Sequence, residues 1–113
     1  MNGTNSSAIM LDAGKPDEYP IGLGREVRAG SLSVAVFRAS GGRWYALENK
    51  TPHAKGGSLA EAIVSGDYLY CPVRDLKIAL GSGEVQAPDT GQVRTFDIRV
   101  EDNRVRISIP KQS

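Results

Sequence analysis

Short apolar runs that alternate with polar residues and stop at turn residues dominate this chain. In residues 76–80 apolar side chains recur at every second position, and the run stops at Gly81. A period of two places such side chains on one face of a β-strand. No window of helical length carries apolar residues at the 3.6-residue spacing of a helix. The sequence therefore predicts an all-β protein, an antiparallel sandwich or barrel-like stack of about eight short strands.

Turn residues between the runs predict how neighbouring strands pair. Residues 25–29 and 32–38 predict a hairpin across Gly30-Ser31, and residues 62–64 and 68–70 flank Ser65-Gly66-Asp67, which predicts a three-residue turn. A further turn is predicted at residues 101–103, and Pro110 is expected to close the last strand. In residues 44–47, Trp44 and Ala46 are predicted to share one face, and Tyr45 and Leu47 the other.

Length, charge and cysteine content narrow the class of protein. The 113 residues are enough for one domain, predicted over residues 8–113, whereas the polar residues 1–7 are predicted to be disordered. A net charge of +1 predicts no nucleic-acid partner and no membrane surface. Without a signal peptide or an apolar run long enough to cross a bilayer, and with a single cysteine, the chain is predicted to be cytoplasmic.

Two loops contain residue types that ligate metals, but each loop has only one of them. The first loop reads Thr51-Pro52-His53-Ala54-Lys55-Gly56-Gly57, and the second reads Cys71-Pro72-Val73-Arg74. A Rieske cluster is held by two cysteine thiolates on one iron and two histidines on the other. Thr51 has a neutral hydroxyl, and the guanidinium of Arg74 is always protonated and has no lone pair to offer. We therefore expect no cluster, no other metal and no catalytic residue on this chain.

The order of these features resembles the Rieske ferredoxin-like domain, and within it the small subunit of assimilatory NAD(P)H-dependent nitrite reductase. The resemblance implies that Thr51, His53, Cys71 and Arg74 are degenerate cluster positions. It also implies a large partner subunit that carries FAD, an iron–sulfur cluster and sirohaem and reduces nitrite to ammonia in nitrate assimilation. The small subunit would then bring no redox centre of its own. The stretches that carry the resemblance are residues 44–47, 51–59, 66–72, 77–84, 87–91 and 100–105.

Ordinary structural roles are favoured for the remaining ligand-type residues. Cys71, at a strand end between Tyr70 and Pro72, is expected to be a small buried packing group. We also hypothesise that Thr51, His53 and Arg74 form a hydrogen-bonded polar plug between the loop tips. Rigid loop tips suit a role in docking, with Lys55 and Arg74 supplying charge. Tyr68 or Tyr70 would supply contact area there, with at least one of them expected to pack across strands.

Two other functions remain open on the sequence alone. The chain could be an electron-transfer ferredoxin with a Rieske-type [2Fe–2S] cluster, which would show as iron and visible absorption in the purified protein. It could also be an accessory β module of an oxygenase complex. A neighbouring gene for an oxygenase, rather than for a sirohaem subunit, would favour that second alternative.

Overall fold

The strands fall where the alternating runs predict them. The computed structural model describes residues 8–30, 32–49, 62–71, 76–87 and 91–110. Among these residues the helical content is limited to two short 3₁₀ turns, at Pro16–Glu18 and Ser40–Gly42. The predicted all-β class is confirmed. The strands in this part of the chain are β1 (Ala8–Asp12), β2 (Gly24–Ala29), β3 (Leu32–Arg38), β4 (Trp44–Glu48), β5 (Ile63–Ser65), β6 (Tyr68–Cys71), β7 (Leu76–Ala79), β8 (Thr95–Glu101) and β9 (Arg104–Pro110).

Two antiparallel sheets are formed by these strands. The larger one has six strands in the order β1-β9-β8-β4-β3-β2, and the smaller one has three in the order β5-β6-β7. The predicted first hairpin is confirmed, because Ala29 pairs with Leu32. β9 ends at Pro110, as expected from its missing N–H. The stacking of short sheets agrees with the predicted Rieske-like architecture.

β3 is buried on both of its faces and separates two hydrophobic cores. Val34 and Val36 point into one core, and Ala35 and Phe37 point into the other; all four are fully buried. β4 divides in the same way, with Trp44 and Ala46 on the first side and Tyr45 and Leu47 on the second, as predicted. The first core lies within the curled six-stranded sheet and receives Val105, Ile107 and Ile109 of β9. The second core lies between β3 and β4 and the three-stranded sheet.

The turns differ from the prediction by one residue. Ser65 pairs with Tyr68, so the β5–β6 turn has two residues, with Gly66 at a φ of +63°. The prediction of a three-residue turn is therefore wrong. A positive φ at the first central residue is what a two-residue hairpin turn requires, and glycine adopts it without strain. Glu101 likewise belongs to β8 and pairs with Arg104.

Tyr19 anchors the connection between β1 and β2 in the first core. Its side chain is almost completely buried, and its hydroxyl donates a hydrogen bond to the backbone carbonyl of Ala13. Its ring meets the ring of Trp44 edge-on, at a centroid distance of 5.4 Å, and the Arg25 guanidinium lies 5.1 Å from its centroid. These contacts hold the 13–20 segment against the sheet.

Two predictions about the extent of the domain are not tested by the structure. The disorder predicted for residues 1–7 lies outside the described residues, and the single domain over residues 8–113 stays a prediction. Within the described residues, no helix is long and apolar enough to cross a membrane.

Candidate functional site

Both segments that contain the predicted ligand positions join the same end of the three-stranded sheet. β5 begins at Ile63, just after the first segment, and Ile63 pairs with Tyr70. Cys71 ends β6, Leu76 begins β7, and these two residues also pair. Because paired residues lie at the same level of a sheet, the described strand ends Ile63, Cys71 and Leu76 lie next to each other. The candidate site is this end of the sheet.

Cys71 is the one predicted site residue within the described part of the chain. Its side chain is 6% exposed and lies in the second core, with Leu69 and Ile78 among the residues of that core. The alternation along β6 explains its burial, since Leu69 and Cys71 share the inner face of the strand. It forms no disulfide. The thiol therefore fills core volume at the end of β6.

The other predicted site residues, Thr51, His53, Lys55 and Arg74, lie outside the described residues. The proposed plug of Thr51, His53 and Arg74 therefore stays a hypothesis. The donor set itself can be judged from the chain, which has one cysteine and one histidine. A Rieske cluster takes two of each, so these residues do not fit a protein-held [2Fe–2S] group. The described residues also contain no group of three or more His, Cys, Asp or Glu side chains placed to hold a metal.

The outer face of the three-stranded sheet carries Tyr68 and Tyr70 of β6 and Lys77 of β7. Lys77 pairs with Tyr70, and its ammonium lies 4.3 Å from the centroid of the Tyr68 ring and 5.7 Å from that of Tyr70. Such cation–π contacts hold a lysine chain along the sheet surface. Tyr68 is half-buried by this packing, whereas Tyr70 stays exposed. The expectation that at least one tyrosine packs across strands is met by Tyr68.

A row of exposed apolar side chains continues from Tyr70 across this face. Leu23 forms an antiparallel bridge with Ile63, and Ile63 pairs with Tyr70. Directly paired residues project to the same face, so the three side chains lie side by side. Leu23 is 53% exposed, Ile63 51% and Tyr70 40%. We call Leu23, Ile63 and Tyr70 the outer row.

Sequence reasoning did not find the outer row. The alternation of Ile63 and Val64 shows that one of them faces outwards, but not which one. Leu23 lies between Gly22 and Gly24, where no periodicity applies, and its bridge to Ile63 joins positions forty residues apart in sequence. No local signal predicts such a contact.

An open cleft of about 530 Å³ lies where β4 and β8 separate. The ladder between these strands consists of Ala46 with Phe96 and Leu47 with Thr95, and the cleft begins beyond it. Arg94 and Phe96 both line the cleft, and the Arg94 guanidinium lies 5.3 Å from the centroid of the Phe96 ring. Among the described residues that line the cleft, the titratable groups are Tyr45, Arg94 and Asp97. This set contains no nucleophile–base pair of the kind that covalent catalysis requires.

Among the described residues, the shifted pKa values lie in β1, in β2 and in the connection between these two strands. The backbone N–H of Gly14 and the Arg104 guanidinium lower the pKa of Asp12. The N–H of Lys15 and the Arg25 guanidinium lower that of Glu18, and the Ser33 hydroxyl lowers that of Glu26. Burial raises the pKa of Tyr19. Each shift has a local structural cause, either a hydrogen bond or burial, so none of these four groups indicates an acid–base centre.

A family model for the Rieske-like [2Fe–2S] domain matches residues 12–108, which is most of the chain. The chain belongs to this family. The match covers β2 to β8 completely, together with both loop segments. Family membership therefore includes the two segments in which the ligand positions are incomplete. No curated protein matches the chain.

Solved structures with the same fold include proteins of two groups. A Mycobacterium tuberculosis protein assigned as the small subunit of NADH-dependent nitrite reductase is 22% identical, with a TM-score of 0.81 over 90% of this chain and 96% of its own. The Escherichia coli protein NirD is 21% identical, with a TM-score of 0.79 over 89% and 96% of the two chains. A structure of the oxygenase–ferredoxin complex of carbazole 1,9a-dioxygenase contains a chain that is 28% identical, with a TM-score of 0.73 over 86% and 99%.

Proposed function

We propose that this chain is the small subunit of an NAD(P)H-dependent nitrite reductase and that it carries no cluster. The observation that carries the proposal is the combination of a Rieske-like domain with a single cysteine and a single histidine. A family member that cannot supply two thiolates and two imidazoles must act without the family's metal centre. The likeness to the M. tuberculosis small subunit and to NirD supports the choice of enzyme.

In this proposal the chain contributes binding and not chemistry. The large subunit would carry FAD, sirohaem and an iron–sulfur cluster and would reduce nitrite to ammonia in the cytoplasm. The small subunit would dock through the end of its three-stranded sheet, where Lys55 and Arg74 are the proposed charged contacts. Buried Cys71 would pack the base of that end. No nucleic acid or membrane takes part.

Co-purification with the large subunit tests this function. The chain is co-expressed with a candidate sirohaem-containing large subunit, and nitrite-dependent NAD(P)H oxidation is measured with and without the chain. We expect co-elution and a higher or longer-lasting rate when the chain is present. Equal rates together with separate elution would contradict the proposal.

A second function is favoured by the similarity to the carbazole dioxygenase complex. In that case the chain would be a ferredoxin or an accessory module of an oxygenase. A ferredoxin needs bound iron, whereas an accessory module needs only an oxygenase partner. Iron analysis after anaerobic purification distinguishes a ferredoxin from the two functions without a cluster. The identity of the co-eluting partner then distinguishes a nitrite reductase subunit from an oxygenase module.

A further inference from the structure

The outer row is a contiguous apolar surface on a sheet face that the described residues leave uncovered. Leu23, Ile63 and Tyr70 come from three chain segments joined by backbone pairing, so their spacing is fixed by the sheet. A row of large apolar side chains that project side by side from paired backbone positions is typical of a binding surface, whereas single exposed ones are ordinary. Its position beside the attachment points of both loop segments makes it continuous with the proposed docking end.

The charge at the end of the row indicates what kind of surface would bind there. Lys77 pairs with Tyr70 and lies over both tyrosine rings. In the described part of the chain five arginines form ion pairs with carboxylates, whereas Lys77, like Lys15, Arg38, Arg94 and Arg106, forms none. Of these cations, Lys77 is the one that pairs directly with a residue of the outer row. A complementary surface would therefore be apolar along the row and would present a carboxylate at the Lys77 end.

A second copy of this chain does not fit this requirement. If two outer rows stacked on each other, the Lys77 of one chain would lie opposite Lys77 or Leu23 of the other, depending on the direction. Neither arrangement gives Lys77 a carboxylate from the row. The surface is better suited to a different protein.

We propose that the outer row, flanked by Lys77, is the surface through which this chain docks onto its large oxidoreductase subunit. The inference rests on the proposed function and adds the contact residues and the chemistry of the partner surface. Tyr70 and Ile63 form its centre, where aromatic and large aliphatic side chains contribute most to binding. Lys77 lies at the rim, where it sets orientation and the salt dependence of association.

The test measures the affinity of the purified chain for the purified large subunit by biolayer interferometry. The double variant Leu23→Gln with Ile63→Gln removes two of the three apolar side chains of the outer row. The matched control is Met10→Gln with Val100→Gln, which changes side chains that are 50% and 39% exposed on the six-stranded sheet. We expect the row variant to weaken binding by about tenfold or more and the control by less than about twofold. Lys77→Glu should weaken binding and reduce its sensitivity to salt.

The outcomes separate the surface from the function. Binding by the wild type that both double variants retain equally would overturn the outer row as the docking surface and leave the proposed function standing. Equal weakening by both variants would also overturn it. Absence of wild-type binding would overturn the function and the surface together. A wild-type dimer in light scattering that only the row variant dissociates would show that a second copy is the occupant, and would likewise overturn the inference.

Discussion

The outer surfaces of the two sheets are built differently. On the six-stranded sheet and the segment that leads into β2, charged side chains pair with one another. Arg104 binds both carboxylate oxygens of Asp12 at 3.0–3.2 Å, and Arg25 meets Glu18 at 3.0 Å. The outer face of the three-stranded sheet instead carries Ile63 and Tyr70 beside Leu23, and Lys77 lies over tyrosine rings.

The six-stranded sheet also exposes Ile9, Met10 and Val100, but none of these pairs with another of them. The three-stranded sheet differs because its exposed apolar side chains are joined in a row by backbone pairing. Exposed ion pairs add little stability, but they keep a sheet surface polar and solvated. Covering an apolar row with another surface removes it from water, which lowers the free energy of the system and so favours binding. Both sheets rest on the same strand, because β3 is buried on its two faces. The three-stranded sheet can therefore present an apolar face without losing its support.

The largest predicted effect on stability comes from a substitution in β3, the strand that both cores share. Phe37→Ala removes a fully buried ring from the second core and should cost about 3–5 kcal/mol of unfolding free energy. Because β3 also closes the first core, both sheets should unfold in one transition. Denaturant unfolding followed by tryptophan fluorescence and circular dichroism measures this. Val100→Ala, at an exposed position, is the control and should change stability by less than about 0.5 kcal/mol. Two separated transitions in Phe37→Ala would contradict a common support.

A smaller effect is expected at Cys71. Cys71→Ser keeps the volume but places a hydroxyl in the second core, which should cost about 1–3 kcal/mol. Cys71→Ala is the matched variant. It removes the sulfur atom without burying a polar group, so it should cost only about 1 kcal/mol. Thermal unfolding measures both, and iron analysis of the same samples should give equal values for wild type and variants. Loss of bound iron in either variant would show that Cys71 is a ligand.

A comparable or smaller loss is expected at Tyr19. Tyr19→Phe removes the hydroxyl that donates to the Ala13 carbonyl, while the ring can still pack on Trp44. The expected loss is about 1 kcal/mol, the typical net contribution of one hydrogen bond. Urea unfolding measures the difference. A variant as stable as the wild type would mean that packing alone holds the 13–20 segment.

The smallest expected effect is the contribution of Asp12 to the pH dependence of stability. The pKa of Asp12 is lowered in the folded protein, so the unfolded chain binds more protons and stability rises with pH in that range. The contribution is complete above about pH 4, the ordinary range of an aspartate, and is lost as pH falls further. Asp12→Asn should therefore flatten the fall of the melting temperature below pH 4. An unchanged acid profile would show that the Arg104 pair is screened by solvent.

Local pattern was enough to predict most of the fold. The alternation in residues 44–47 predicted that Trp44 and Tyr45 lie on opposite faces of a strand, and the structure places these faces against different cores. Val105, Ile107 and Ile109 follow the same alternation along β9, and all three are buried. The error at the β5–β6 turn was one residue, since Ser65 can equally end a strand or begin a turn.

Of the candidate site, the structure describes Cys71 and the strand ends that flank the two segments, and the site itself stays a prediction. Ile63, Cys71 and Leu76, from which these segments continue, lie at one end of the smaller sheet. The outer row depends on the bridge from Leu23 to Ile63, which joins distant parts of the chain. Exposure of an apolar residue is a property of the assembled sheet, and no sequence period records it.

The central claim is that this Rieske-like domain acts by binding a partner and without a cluster of its own. Iron and acid-labile sulfide in the chain, purified anaerobically after expression in iron-replete cells, test it most directly. The account predicts a colourless protein with far less than one iron per chain. About two irons and two sulfides per chain, with visible absorption, would contradict it, because that is the content of a [2Fe–2S] cluster.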